Sequence, residues 1–225
     1  MADRGDCSRR QAERWIEAGW VTVNGAKAVI GQAVDPAKDV VAYAPEVANA
    51  QAKRVYYKFH KPWGIHTVNA LPGEKEVMDM MDGVGPDCFP VGRLDKDSTG
   101  LVIVTNDGRL SRTAFSPDSG CQKEYEVQTY VAILDSQLDR IEKGGILLER
   151  PTKPCQIERM GPAKFRIAIG EGMNRQIRRV TEFVGSKVMK LHRVRVGDVK
   201  LGTLGEGKWT ALGPKEIESL LHPGA

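Results

Sequence analysis

Strand-like and helix-like segments follow one another along this chain without regular alternation, and that irregularity limits the fold more than any other feature. Strand patterns fall at 21–23, 40–43, 54–59, 101–105, 124–130, 164–169 and 188–199, and helical patterns at 74–81, 108–115, 135–142, 174–184 and 214–221. A doubly wound sheet would repeat strand and helix in turn, so the pattern predicts an α+β fold. The 225 residues suffice for one large domain and a small one, each with apolar residues to bury. No internal repeat or low-complexity tract interrupts them.

The small domain is predicted at the N-terminus. Ser8-Arg9-Arg10-Gln11 fits a capping box, Ala12, Trp15 and Ile16 share one helical face, and Gly19 is a natural stop. Val21-Thr22-Val23 alternates as a strand does, and Asn24-Gly25 is the strongest short hairpin signal. A further strand ends at Pro45, and residues 46–53 show neither helical nor strand periodicity and read as a linker. The predicted boundaries are therefore 1–48 and 54–225. The first strand of the larger part runs into the turn Lys61-Pro62-Trp63-Gly64.

Composition excludes several classes. No apolar run approaches the roughly 20 residues of a membrane helix, and Met1 to Asp6 has no signal-peptide character. A cytoplasmic protein is expected. Cys7, Cys88, Cys121 and Cys155 are dispersed with no CxxC pair, so neither a zinc site nor a disulfide framework is predicted. The net charge of +4 is a weak signal, but residues 173–201 hold eight Lys or Arg against two acids. Such a stripe suits a polyanion such as RNA, or forms a solvated face.

Three segments could carry chemistry. Gly92-Arg93-Leu94-Asp95-Lys96-Asp97-Ser98-Thr99-Gly100 sets acids in a loop ahead of the apolar run Leu101-Val102-Ile103-Val104. Catalytic groups concentrate on such loops, yet taken alone the segment reads better as a turn, because Asp and Ser bond their own backbone. It imitates a calcium loop, but the twelfth position, where that loop needs Glu, is Asn106. Asp95-x-Asp97-x-Thr99 also resembles a Mg²⁺-dependent aspartyl phosphatase, without the later acidic pair. In the second segment, Lys123-Glu124-Tyr125-Glu126-Val127, Tyr125 is a core residue or an aromatic platform for a base. In the third, Asn174-Arg175-Gln176-Ile177-Arg178-Arg179-Val180, Ile177, Val180 and Val184 form an apolar stripe with Arg175, Arg178 and Arg179 off it. Asn174 is the expected N-cap and Gly185 the stop.

Together these segments resemble the motifs of bacterial rRNA pseudouridine synthases. Gly92-Arg93-Leu94-Asp95…Thr99-Gly100-Leu101…Thr105-Asn106-Asp107-Gly108 is similar to the central motif, and Lys123-x-Tyr125-x-Val127 and Asn174-Arg175-Gln176-Ile177-Arg178-Arg179 to the second and third. Lys61-Pro62-x-Gly64 also matches, in the family's order. Residues 7–25 resemble the alpha-L RNA-binding module, which points to the Rsu branch. Only seven residues precede Ser8, so that module is expected to be N-terminally incomplete, or Met1 to be internal to a longer chain.

The resemblance implies a pseudouridine synthase fold: a mixed, mostly antiparallel sheet with flanking helices and a central cleft. It implies isomerisation of a uridine in ribosomal RNA, free or in precursor particles, with neither metal nor cofactor. Asp95 would be the essential residue, Tyr125 would stack on the uracil, and Arg178 would pair with Asp95. An ordinary aspartate is already ionised at neutral pH, so that arginine would hold and orient the carboxylate more than ionise it. Arg93 would hold the flipped nucleotide or fill its gap, and Lys61, Arg9, Arg10, Arg175, Arg179, Arg193 and Arg195 would contact RNA. A base stacked in a helix must be extruded before its glycosidic bond is reachable, which requires a cationic groove, an aromatic platform and a poised carboxylate. A monomer without membrane contact is expected. A non-catalytic ribosome assembly factor on the same scaffold and the Mg²⁺-dependent phosphatase are the alternatives.

Overall fold

The computed structural model describes residues 1, 6, 7, 9–52, 54–116 and 119–223. At the N-terminus β1 (Val21–Val23) pairs antiparallel with β2 (Ala26–Lys27) and β3 (Val41–Tyr43). Asn24 and Gly25 have φ of 52° and 81°, the two left-handed residues that a type I′ hairpin requires. Helix α1 (Arg9–Glu17) buries Trp15 against Val21 and Val23 and ends before Gly19, as its periodicity predicts. The expected capping box begins at Ser8, which lies outside the described residues.

The expected linker is instead helical: α2 spans Pro45–Ala52. Proline suits a first helical turn and alanine is the best helix former. Val47 supplies the anchor, buried at 2% exposure in the N-terminal cluster.

The larger sheet has nine strands. In spatial order they are β12 (Trp209–Ala211), β4 (Tyr56–Lys61), β6 (Thr99–Thr105), β10 (Val188–Val196), β7 (Lys123–Thr129), β9 (Lys164–Ile169) and β8 (Gln156–Gly161). β5 (Phe89–Val91) pairs with β6, and β11 (Val199–Lys200) with β10. Every pairing is antiparallel except β6 with β10, which is parallel and in register only at His192↔Thr99 and Arg193↔Gly100. One edge of β6 is therefore shared: β10 takes its start and β5 takes residues 103–105. The loop before β6 opens at this short seam in the middle of the sheet.

Strand β6 is buried on both faces, which is why it reads as a continuous apolar run. Leu101 and Ile103 face a core with Leu110, Val196 and Leu220. Val102 and Val104 face the other core, with Phe59, Tyr125, Phe165 and Ile177.

Helices α3 (Leu110–Thr113), α4 (Asp135–Glu142), α5 (Gln176–Phe183) and α6 (Pro214–Leu221) flank the sheet. The helix expected over 74–81 shrinks to one 3-10 turn, Val77–Met80. The strand expected over 188–199 turns back at Gly197, whose φ is 54°. β5, β8 and β12 carry little sequence signal: β5 contains Pro90, and β8 is largely exposed. Proline is tolerated where a strand has a free edge.

Candidate active site

Asp95 lies on the loop between β5 and β6, and the loop is fixed from below. Thr67 Oγ1 donates to the Leu94 carbonyl at 2.6 Å and accepts from the Leu94 N–H at 3.0 Å. The Gly64 N–H donates to the Lys96 carbonyl at 2.9 Å, and the Ser98 N–H donates to the Asp95 carbonyl at 3.0 Å. The segment is thus a turn, as its residue types suggest, and also the site of the acid.

Lys61, at the end of β4, is fully buried. Its Nζ donates to the Ser98 carbonyl at 2.7 Å and the Pro62 carbonyl at 3.1 Å. Burial lowers the Lys61 ammonium to about 8, against the opposing pull of the Asp97 and Asp95 charges. The expectation that Lys61 contacts RNA is corrected: its charge lies under the loop, tying backbone carbonyls together. Gly100 completes the seam, because a Cβ there would sit 2.3 Å from the Arg193 backbone oxygen at a φ of +109°.

The opposing wall is the loop leading into α5. Glu171, 2% exposed, accepts from Gln176 Nε2 at 2.6 Å and the Lys153 N–H at 2.9 Å. Gln176 Oε1 accepts from the Met173 N–H at 3.1 Å. The expected cap, Asn174, does not fill that place: α5 begins at Gln176 and its N-cap is Arg175, left-handed at φ 47° and ψ 32°. A non-glycine residue in that region is strained, and such strain concentrates at functional sites.

That backbone brings Arg175 over the Asp95 loop. Its Nη1 donates to Asp95 Oδ2 at 3.1 Å, and Nη1 and Nη2 reach the two Asp97 oxygens at 3.3 and 3.1 Å. The expected pairing of Arg178 with Asp95 is corrected here. Arg178, inside the helix, donates to the Asp97 carbonyl at 2.9 Å and Ser98 Oγ at 3.2 Å, and pairs with the Asp97 carboxylate at 3.2 Å. Burial works to raise the Asp97 carboxyl, but the Arg175 hydrogen bond and the Arg178 charge outweigh it and hold it below the usual range. Burial lowers Arg178 while Asp97 opposes the shift, and the bond to Asp97 raises Arg175.

Tyr125 projects from β7 into the same cleft, which Asp95, Arg93, Arg175, Met173 and Leu191 also line. The Arg193 guanidinium lies 6.0 Å from the centre of its ring, within cation–π range. Arg193 is 2% exposed, and its Nε donates to the Leu101 carbonyl at 2.7 Å. Its predicted RNA contact is corrected as well, because it is enclosed where β6 meets β10. Arg195 is engaged with Glu124 at 2.8 Å and the Gly197 carbonyl at 2.8 Å, and Arg179 with Glu149 at 2.6 Å. Arg93 stands exposed at the rim. Arg9 and Arg10 lie on α1, and their side chains are outside the described part.

The cleft therefore joins a carboxylate held by an arginine, an aromatic ring and an exposed cation. Among the described residues, no group of three or more His, Cys, Asp or Glu side chains is placed to hold a metal ion. Sequence reasoning missed the part played by Asp97, which anchors both arginines. Two acids and two arginines at short spacing were visible, but not their pairing.

The RNA pseudouridylate synthase family model matches residues 55–183. The dual-specificity RNA pseudouridine synthase RluF of Escherichia coli (strain K12) is 34% identical, over 98% of this chain and 76% of that protein. The ribosomal small subunit pseudouridine synthase A of Pseudomonas aeruginosa is 32% identical, over 98% and 97%. A crystal structure of a pseudouridylate synthase superposes with a TM-score of 0.72 at 28% identity, covering 97% of this chain and 96% of that one.

Proposed function

The chain belongs to the RNA pseudouridylate synthase family, and from that premise and the geometry of the cleft we propose that it isomerises a uridine of ribosomal RNA with Asp95 as the reacting carboxylate. The observation that carries this reading is the Arg175–Asp95 pair at 3.1 Å in one cleft with Tyr125. A target uridine leaves its stack and enters the cleft. Tyr125 receives the uracil face and Arg93 steadies the backbone at the rim. Asp95 acts on the ribose, and the bond from C1′ to N1 breaks. The uracil turns and C5 bonds to C1′. C5 loses a proton and N1 gains one, so the product is an isomer. Arg175 keeps the carboxylate aimed while the base moves.

Residues 54–225 form the catalytic unit and residues 1–48 an RNA-docking unit, joined through α2 and by an ion pair between Arg14 and Asp87. The protein works as a monomer in the cytoplasm, where its RNA is found. Among the described residues no helix is long and apolar enough to cross a membrane.

The test is pseudouridine mapping of rRNA transcripts from both subunits, and of ribosomal precursor particles, with wild type and Asp95→Asn, with and without EDTA. A site modified by wild type alone, under either condition, is the expected result. No modified site on any of these RNAs would overturn the reading in favour of an RNA-binding assembly factor, and modification that requires added metal would overturn the proposed chemistry.

A further inference from the structure

We propose that Trp63 is a second stacking platform, which takes the base of a nucleotide beside the target uridine. The inference rests on the reading of the Asp95 cleft as the uridine site and adds a strand-positioning element to it. An indole 72% exposed is not by itself informative, since single apolar side chains are common on surfaces. Its attachment is. The residues on either side of Trp63 are bonded to the catalytic segment: the Pro62 carbonyl accepts from Lys61 Nζ, which also holds the Ser98 carbonyl, and the Gly64 N–H donates to the Lys96 carbonyl. The backbone that carries Trp63 is therefore tied to the segment that carries Asp95.

The groove it lines adjoins the cleft at Leu191. Met160, Met189 and Leu191 are its apolar part, Lys164 and Lys190 its cations and Glu126 and Glu206 its acids, and Asp97 and Thr99 of the catalytic segment border it. Leu191 also lines the cleft of Asp95 and Tyr125, so one buried side chain separates the two. A uridine drawn into the cleft carries its neighbours along the backbone to this boundary. The two methionines and the open indole offer surface for the flat face of a base, and Lys164 and Lys190 are placed to meet the phosphates beside it. Stacking on an aromatic ring accepts any base, so Trp63 fixes the path of the strand more than the identity of the neighbour.

The experiment uses a hairpin RNA with one loop uridine and 2-aminopurine placed on its 5′ or its 3′ side, titrated with wild type, Trp63→Ala and Trp63→Phe. All three proteins also carry Asp95→Asn, so binding is read without chemistry. The expected result is quenching of 2-aminopurine in one of the two positions, with affinity falling roughly 10- to 100-fold in Trp63→Ala and largely restored in Trp63→Phe. Equal fluorescence changes, or none, with Trp63 present or absent would overturn the proposal. The transcript-mapping assay with Asp95 intact reads the isomerase function separately. Activity there without a Trp63 effect here removes only the platform, whereas a Trp63 effect without activity removes only the assigned chemistry.

Discussion

Arg175 donates from Nη1 to Asp95 Oδ2 at 3.1 Å, from a backbone held in the left-handed region at φ 47°. The same guanidinium grips both Asp97 oxygens, so Asp97 fixes the arginine that orients Asp95. The two side chains are 42% and 34% exposed, and the pair's value lies in aim more than in stability, since pairs this exposed contribute about 1 kcal/mol or less.

Replacing Arg175 should therefore affect turnover far more than folding. Arg175→Asn keeps a residue type that tolerates the left-handed backbone and removes the guanidinium. We expect kcat to fall about 100-fold, the scale for losing one preorganised donor, with the urea midpoint little changed. Lysine should not restore it, because a point charge cannot span both carboxylates. A kcat near wild type in Arg175→Asn would show that Asp95 needs no partner.

Lys61 gives a pH signature. Its ammonium is lowered from 10.5 to about 8 in the folded chain. Between those values the unfolded chain holds a proton that the folded chain has released, so stability from this group rises with pH. Below pH 8 both states are protonated and the contribution is flat. Urea unfolding of wild type and Lys61→Met across pH 7 to about 10.5 should show the difference turning in favour of wild type above pH 8. A constant difference would mean that Lys61 is not the buried charge under the loop.

Arg193 and Arg93 should separate burial from RNA contact. Arg193→Ala leaves the Leu101 carbonyl without its donor, which should cost about 2–4 kcal/mol in unfolding. The salt slope of RNA binding should stay as in wild type. Arg93→Ala should do the reverse, reducing that slope by about one phosphate contact at unchanged stability. A flattened slope in Arg193→Ala, in protein shown to be folded, would return it to the RNA surface.

Gly100→Ala tests the seam. The added Cβ would meet the Arg193 backbone at 2.3 Å on a residue at φ +109°, and neither strand has a flexible side-chain end there to yield. A loss of about 3 kcal/mol or more is expected, read by urea unfolding. A variant within about 0.5 kcal/mol of wild type would mean that β6 and β10 part more easily than their pairing indicates.

Much of this protein was legible in order along the chain, because the signals are local. Asn24-Gly25 specifies its hairpin through two left-handed residues, and the apolar spacing of Ile177 and Val180 specifies the buried face of α5. The run 101–104 marks a strand buried on both faces, and the motifs around Asp95, Tyr125 and Arg175 identify the family from residue types alone. Three things waited for the tertiary structure. β12 is a short edge segment held by a partner distant in sequence, and β5 is three residues long with a proline at its centre, so no local pattern records them. Lys61 and Arg193 carry the same formal charge as surface cations, and only packing placed them at 0% and 2% exposure. Which arginine meets Asp95 depended on where α5 starts. A start at Gln176 with Arg175 left-handed turns that side chain onto the carboxylate and leaves Arg178 to Asp97 and Ser98. Sequence names the groups; burial and backbone direction, which arise from contacts across the whole chain, decide which of them meet.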